Sequence, residues 1–268
     1  MGLKSIKPQE PPPHPEFHET DDLISNQAAF LGDPNFPRVA MEHTKGGKIR
    51  LYESLYKHYS KLAFSKITDR PIAIAGLEQR LIRAFGTNGG FGIFGGYLGR
   101  SLLWQRAPNV QSMTRIDFGQ KRVPSWSWMA YEDEIMFMDL PFNGVEWEKS
   151  EICSPWDSNT NADVWLSTRR SSNTHLEVIA RDFRVPPGNQ QTGQLIFDGG
   201  CHPEGQTLKC ITIGRRKDVA GSSAQMHYVL LISQKSEGDV SLYERAGVGF
   251  MPKDWITFCG VNSMAWVV

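Results

Sequence analysis

Two spacings of apolar residues divide this chain. Between Ile49 and Phe64 the residues Tyr52, Leu55, Tyr56, Tyr59, Leu62 and Ala63 recur three and four apart, as one face of a helix requires. Arg50, Glu53, Lys57, His58 and Lys61 fall largely off that stripe. The spacing predicts a helix over 49–64. A second is predicted over 70–85, with Ile74, Leu77, Leu81 and Phe85 on its apolar face. Thr68 or Asp69 stands where a cap belongs, Pro71 sits in the first turn where a missing N–H costs nothing, and Gly86 follows the end. A short third helix is expected over 97–105, carrying Leu98, Leu102 and Leu103.

After Pro108 the period drops to two, β-branched residues accumulate, and Gly, Asn and Asp punctuate the runs. Strands are predicted at 123–129, 134–138, 145–153, 163–167, 176–183, 194–197, 208–213, 227–232 and 240–250. Short strands at this spacing argue for an α+β protein, a helical segment packed on an antiparallel β-sandwich or open barrel. Three regions result. Residues 1–48 form a proline-rich lead-in (Pro8, Pro11, Pro12, Pro13, Pro15) expected to be poorly ordered. Residues 49–108 are helical and 109–268 make a tryptophan-rich β domain, with 49–268 expected to be one structural unit.

Charge narrows the function classes. Lys plus Arg is 29 and Asp plus Glu is 29, a formal net charge of zero. A protein that binds nucleic acid by neutralising phosphates carries a basic excess, so no nucleic-acid partner is expected. The zero is uneven: between Tyr131 and Glu151 seven acids (Glu132, Asp133, Glu134, Asp139, Glu146, Glu148, Glu151) face one base, Lys149, and a basic cluster lies at Lys209, Arg215, Arg216 and Lys217. These two segments suit docking on each other or on a partner. No apolar run approaches the length of a membrane helix. The four cysteines are scattered (Cys153, Cys201, Cys210, Cys259), which fits reduced thiols in the cytoplasm.

Several patterns touch on chemistry. Gly90 to Gly95 satisfies G-x-G-x-x-G, but it follows a predicted helix rather than a strand, so it reads as a glycine loop. Cys201-His202-Pro203-Glu204 with Cys210 offers three soft ligands where a structural zinc needs four, and no metal or cofactor is expected. No triad can be composed. Glu146 and Glu148 share one side of a predicted strand with Trp147 on the other. Paired carboxyls beside aromatics suit glycan hydrolysis, while a solvated face over a buried tryptophan explains them more simply. In Val123–Met129, strand alternation sets Trp126 and Trp128 on one face and Ser125 and Ser127 on the other. The two rings either anchor a core or line a binding groove.

Four segments resemble a known pattern. They are Tyr59-Ser60 with Thr68-Asp69-Arg70-Pro71 and Ile74-Ala75-Gly76-Leu77; Tyr97-Leu98-Gly99 with Leu102-Leu103-Trp104; Arg122-Val123-Pro124-Ser125-Trp126-Ser127-Trp128; and Tyr243-Glu244-Arg245-Ala246-Gly247-Val248-Gly249-Phe250. In that order they resemble the region C-terminal to the HET domain in fungal heterokaryon incompatibility (HET) family proteins. The HET domain's own segments are not found in the chain. The resemblance implies a non-enzymatic accessory, recognition or regulatory module in nonself recognition and programmed cell death, with a HET-domain protein as partner. Its signature positions are Asp69, Gly76, Trp104, Arg122, Pro124, Ser125, Trp126, Ser127, Trp128, Tyr243, Arg245 and Gly247.

Overall fold

The two amphipathic stripes fold as helices, though not with equal fidelity. In the computed structural model α1 (Lys45–Ser60) begins earlier than the stripe, because Thr44 caps it: its Oγ1 accepts from the Gly47 amide at 3.2 Å. It also ends earlier, and Leu62 is left 54% exposed. α2 (Arg70–Phe85) matches its expected span, and Gly86 closes it in the left-handed conformation at φ +61°. Asp69 makes no capping bond through its side chain. The structure describes residues 44–119, 123–156, 175–186, 193–203, 205–217, 224–235, 241–258 and 263–268, all within the unit Pro37–Val268. The lead-in through residue 43 and the strand expected at 163–167 lie outside the described residues.

Between the helices, β1 (Gly89–Gly90) and β2 (Ile93–Phe94) form a small hairpin. The third helix, α3 (Leu98–Leu102), is shorter than expected, since Trp104 already belongs to β3 (Trp104–Arg106), paired with β4 (Ile135–Phe137). α1 packs on β4, and its Tyr52 and Tyr56 meet Phe94 and Trp128 in an aromatic cluster, with the Tyr56 and Phe94 rings stacked at 5.8 Å.

The remaining strands make one mixed, mostly antiparallel sheet: β5 (Val145–Trp147), β6 (Ile152–Cys153), β7 (Leu176–Ala180), β8 (Gln194–Phe197), β9 (Leu208–Arg216), β10 (Met226–Gln234), β11 (Leu242–Pro252) and β12 (Ser263–Val267). The order is β5-β9-β10-β11-β12-β7-β6. β11 shares its second edge, holding β12 in parallel at its start and β8 antiparallel at its end. Among the described residues the pairing path does not close. The protein is therefore α+β. One core cluster lies over β9–β11 and gathers Cys210, Val229, Leu231, Met251 and Trp255.

Three strand expectations need correction. The run 145–153 is two strands at opposite ends of the sheet path, because Glu148 turns the chain: its Oε1 accepts from Ser150 N at 3.0 Å and from Ser150 Oγ at 2.6 Å. Val123–Met129 is no strand. It is a turn leading into a 3₁₀ helix (Trp128–Ala130), because Ser127 Oγ accepts from Met129 N at 3.0 Å. β12 lies outside the expected strands; it is short, and two of its five side chains, Met264 and Trp266, remain exposed.

The helical layer contains a charge that burial disfavours. Glu53 on α1 lies 3.7 Å from Arg100, and desolvation raises its carboxyl from 4.5 to about 7 despite that cation. A carboxyl raised in the fold contributes stability that is complete below its unfolded value and lost as pH rises through its folded one. Glu53→Gln is expected to flatten the stability profile between pH 4.5 and 7, removing a loss on the order of 3 kcal/mol. Denaturant midpoints measured across that range check it.

Candidate functional site

The tryptophan segment is a structural node. Trp104, Trp126 and Trp128 are all 0% exposed, and so are Ser125 and Ser127. The expected alternation fails because both serines turn inward and serve the backbone. Ser125 Oγ donates to the carbonyl of Val268 and accepts from the Arg245 amide at 3.0 Å; Ser127 Oγ donates to Phe91 O at 2.7 Å. Trp104 Nε1 donates to Trp126 O at 2.9 Å, and Pro124 O accepts from Ser127 N at 3.0 Å. Arg245 lies under this network with its guanidinium carbon 3.3 Å from the Trp104 ring centroid, paired with Asp198 at 2.8 Å. Tyr243 is buried beside the C-terminus, which it holds by accepting from Val268 N, and Gly247 pairs with Phe197 of β8. Asp69 and Gly76 stand apart from the node, and Arg122 lies outside the described residues. Trp126 and Trp128 therefore line no groove: the binding role considered for them is corrected to core anchoring, since neither ring reaches the surface.

A pocket of about 420 Å³ opens elsewhere, at the β5 end of the sheet. Register builds it. Glu146 pairs with Arg215 across β5 and β9, and Arg215 with His227 across β9 and β10, which sets the three in one row. Glu148, Lys253 and Phe258 complete the polar and aromatic walls, together with Trp147, whose ring packs on Gly99. Glu146 Oε2 is held by Arg215 at 2.8 Å. The bonds from Ser150 keep the Glu148 carboxyl below its ordinary range. Behind the wall, buried Glu151 accepts from Arg181 Nε at 3.1 Å and from the hydroxyl of Thr212.

His227 is the unusual group here. It is 7% exposed, and its Nε2 is buried with no hydrogen-bond partner. Burial and the nearby cations Lys253 and Arg215 push its imidazole below the ordinary value, against the opposite pull of Glu151 and Glu148. The acidic pair stands out in the sequence, while His227 and Lys253 belong to none of its expected site motifs. The available signal was alternation, which places His227 on the same strand face as Val229 and Leu231, where a histidine is unusual.

The other candidates resolve simply. The G-x-G-x-x-G stretch forms the β1–β2 hairpin rather than a strand-to-helix turn. Among the described residues no group of three His, Cys, Asp or Glu is placed to hold a metal ion; Cys201 is exposed, Cys210 is buried on β9, and Glu204 lies outside those residues. The acidic and basic segments do meet within the chain, through the β5–β9 pairing and the Glu146–Arg215 ion pair. Among the described residues no helix is long and apolar enough to cross a membrane. No family model, curated protein or solved structure matches the chain.

Proposed function

We propose that the chain is a non-catalytic recognition or regulatory module of a HET-type fungal nonself-recognition system. It works in the cytoplasm beside a protein partner that carries the HET domain. What supports this reading is the meeting of its signature residues. Trp104, Ser125, Trp126 and Arg245 come from three distant segments and contact one another in a buried node, and Ser127 and Trp128, next along the chain, are equally buried. A pattern that defines a scaffold, its two serine hydroxyls already spent on backbone carbonyls, suits an accessory domain better than an enzyme. The Arg181–Cys210 bridge, with both backbone bonds at 2.8 Å, ties the chain beyond β7 to β9 and supports an open-barrel form of the sheet.

The glycan-hydrolase alternative requires two carboxyls, one of them held protonated. Glu146 and Glu148 do share the pocket. Yet Glu146 is ion-paired, and Glu148 is held ionised by the serine bonds. Neither is arranged as a proton donor.

The test is coexpression with HET-domain proteins in a filamentous fungus. The expected result is recovery of a HET-domain protein with the tagged chain and a changed growth-arrest response on hyphal fusion. A folded, expressed chain that captures no such protein and leaves the response untouched would overturn the reading.

A further inference from the structure

The pocket beside β5 has unequal demands on its charges. Its carboxylates are engaged: Glu146 by Arg215, Glu148 by Ser150, and Glu151 behind the wall by Arg181 and Thr212. Arg215 is spent on Glu146, but Lys253 and His227 are not engaged. Lys253 forms no ion pair among the described residues; its ammonium lies 5.7 Å from the Phe258 ring centroid. His227 Nε2 faces no partner at all, although leaving a buried polar atom unmade costs about 1–3 kcal/mol. The Phe258 ring lies 5.3 Å from the His227 ring and supplies an apolar wall beside both groups. A volume of about 420 Å³ suits a small molecule.

We propose that this pocket binds a small organic anion, its phosphate or carboxylate group held between Lys253 and His227 and its planar or apolar part resting on Phe258. This is independent of the HET reading and requires no reaction. An anion answers what the pocket leaves open: a donor for each of its oxygens and a counter-charge for Lys253. Two of the acids already have counter-charges, Glu146 in Arg215 and Glu151 in Arg181, while Glu148 keeps its charge under the hydrogen bonds from Ser150. The groups facing the imidazole are Arg215 on β9, Lys253 after β11, and Glu148 and Glu151 between β5 and β6. Bound negative charge adds to the acids, so binding favours the protonated ring and tightens as pH falls toward the range, below the ordinary histidine value, in which the free protein's imidazole takes up its proton.

Titration with phenyl phosphate and with benzoate, phenol serving as the neutral control, tests this by calorimetry and by the imidazole NMR signals of His227. At least one anion is expected to bind and shift those signals, more tightly at the lower pH; which one binds separates a phosphate ester from a carboxylate. Lys253→Gln leaves the melting temperature unchanged, because the side chain is exposed and unpaired, and is expected to weaken binding about tenfold. His227→Gln should abolish the pH dependence. Binding by neither anion at millimolar concentration, phenol binding as tightly, or a Lys253→Gln chain of undiminished affinity would each overturn the proposal.

Discussion

Arg245→Met is expected to cost about 3–5 kcal/mol, enough to unfold much of a domain whose total stability is of the usual size. The side chain is fully buried and Asp198 is 6% exposed. The guanidinium donates to Asp198 Oδ2 at 2.8 Å, to Leu102 O at 2.9 Å, and to the carbonyl of Trp104. Methionine fills the volume but strands a buried carboxylate and two carbonyls, which is the expensive way to break such a pair. Arg245→Lys keeps the charge and loses the forked geometry and the ring stacking, so it should fall between wild type and Met. Asp198→Ala with Arg245→Met is expected to be less damaging than the sum of the single changes, since the stranded carboxylate is gone. Guanidinium denaturation followed by tryptophan fluorescence measures all four chains. A Met variant within 1 kcal/mol of wild type, against the ~3 kcal/mol expected at the least, would show that the node does not hold the fold.

The sequence made the long elements legible where local chemistry decides them. The stripe and the terminal Gly86 of α2 are local, and so are the apolar, β-branched runs of β8 to β11 with turn residues between them. It failed where a side chain substitutes for a backbone partner. Ser125 and Ser127 bind carbonyls that lie far along the chain, at Val268 and Phe91, and no spacing rule around Trp126 contains that information. β12 depends on parallel pairing with β11 and antiparallel pairing with β7, again a long-range matter. The pocket divides in the same way. Glu146 and Glu148 stand out as acids two apart in any reading. Their neighbours Arg215, His227 and Lys253 arrive through strand register, which the chain fixes only on folding. The charge pattern was informative at a coarser level: the acidic and basic segments meet, although only Glu146 and Arg215 show the ion pair that joins them across β5 and β9.

Gly92→Ala is the second change expected to be severe, at about 3–5 kcal/mol, the sum of a backbone and a packing cost. Gly92 has φ +76°, where an L residue is strained. A Cβ built there would lie 2.7 Å from Trp128 Cε2 and closer still to Nε1. The indole has no room to retreat, being 0% exposed and packed by Tyr56 at 5.1 Å and Tyr59 at 6.1 Å between ring centroids, with the Arg70 guanidinium over its face. Pushing the hairpin outward instead would pull the Gly92 amide from the buried Glu78 carboxylate that accepts its hydrogen bond. Gly76→Ala supplies the contrast. It lies inside α2 with nothing within 4 Å of the added carbon, so it should stabilise the protein by about 0.5–1 kcal/mol through helix propensity. Trp128→Phe removes the atoms that the new methyl would strike, so combining it with Gly92→Ala should recover part of the loss relative to additivity. Thermal unfolding of the four variants separates these terms. Equal effects of alanine at 76 and 92 would show that the hairpin yields to the methyl group. A large difference assigns the glycine at 92 to the seating of Trp128, a packing duty that accounts for it without any bound phosphate.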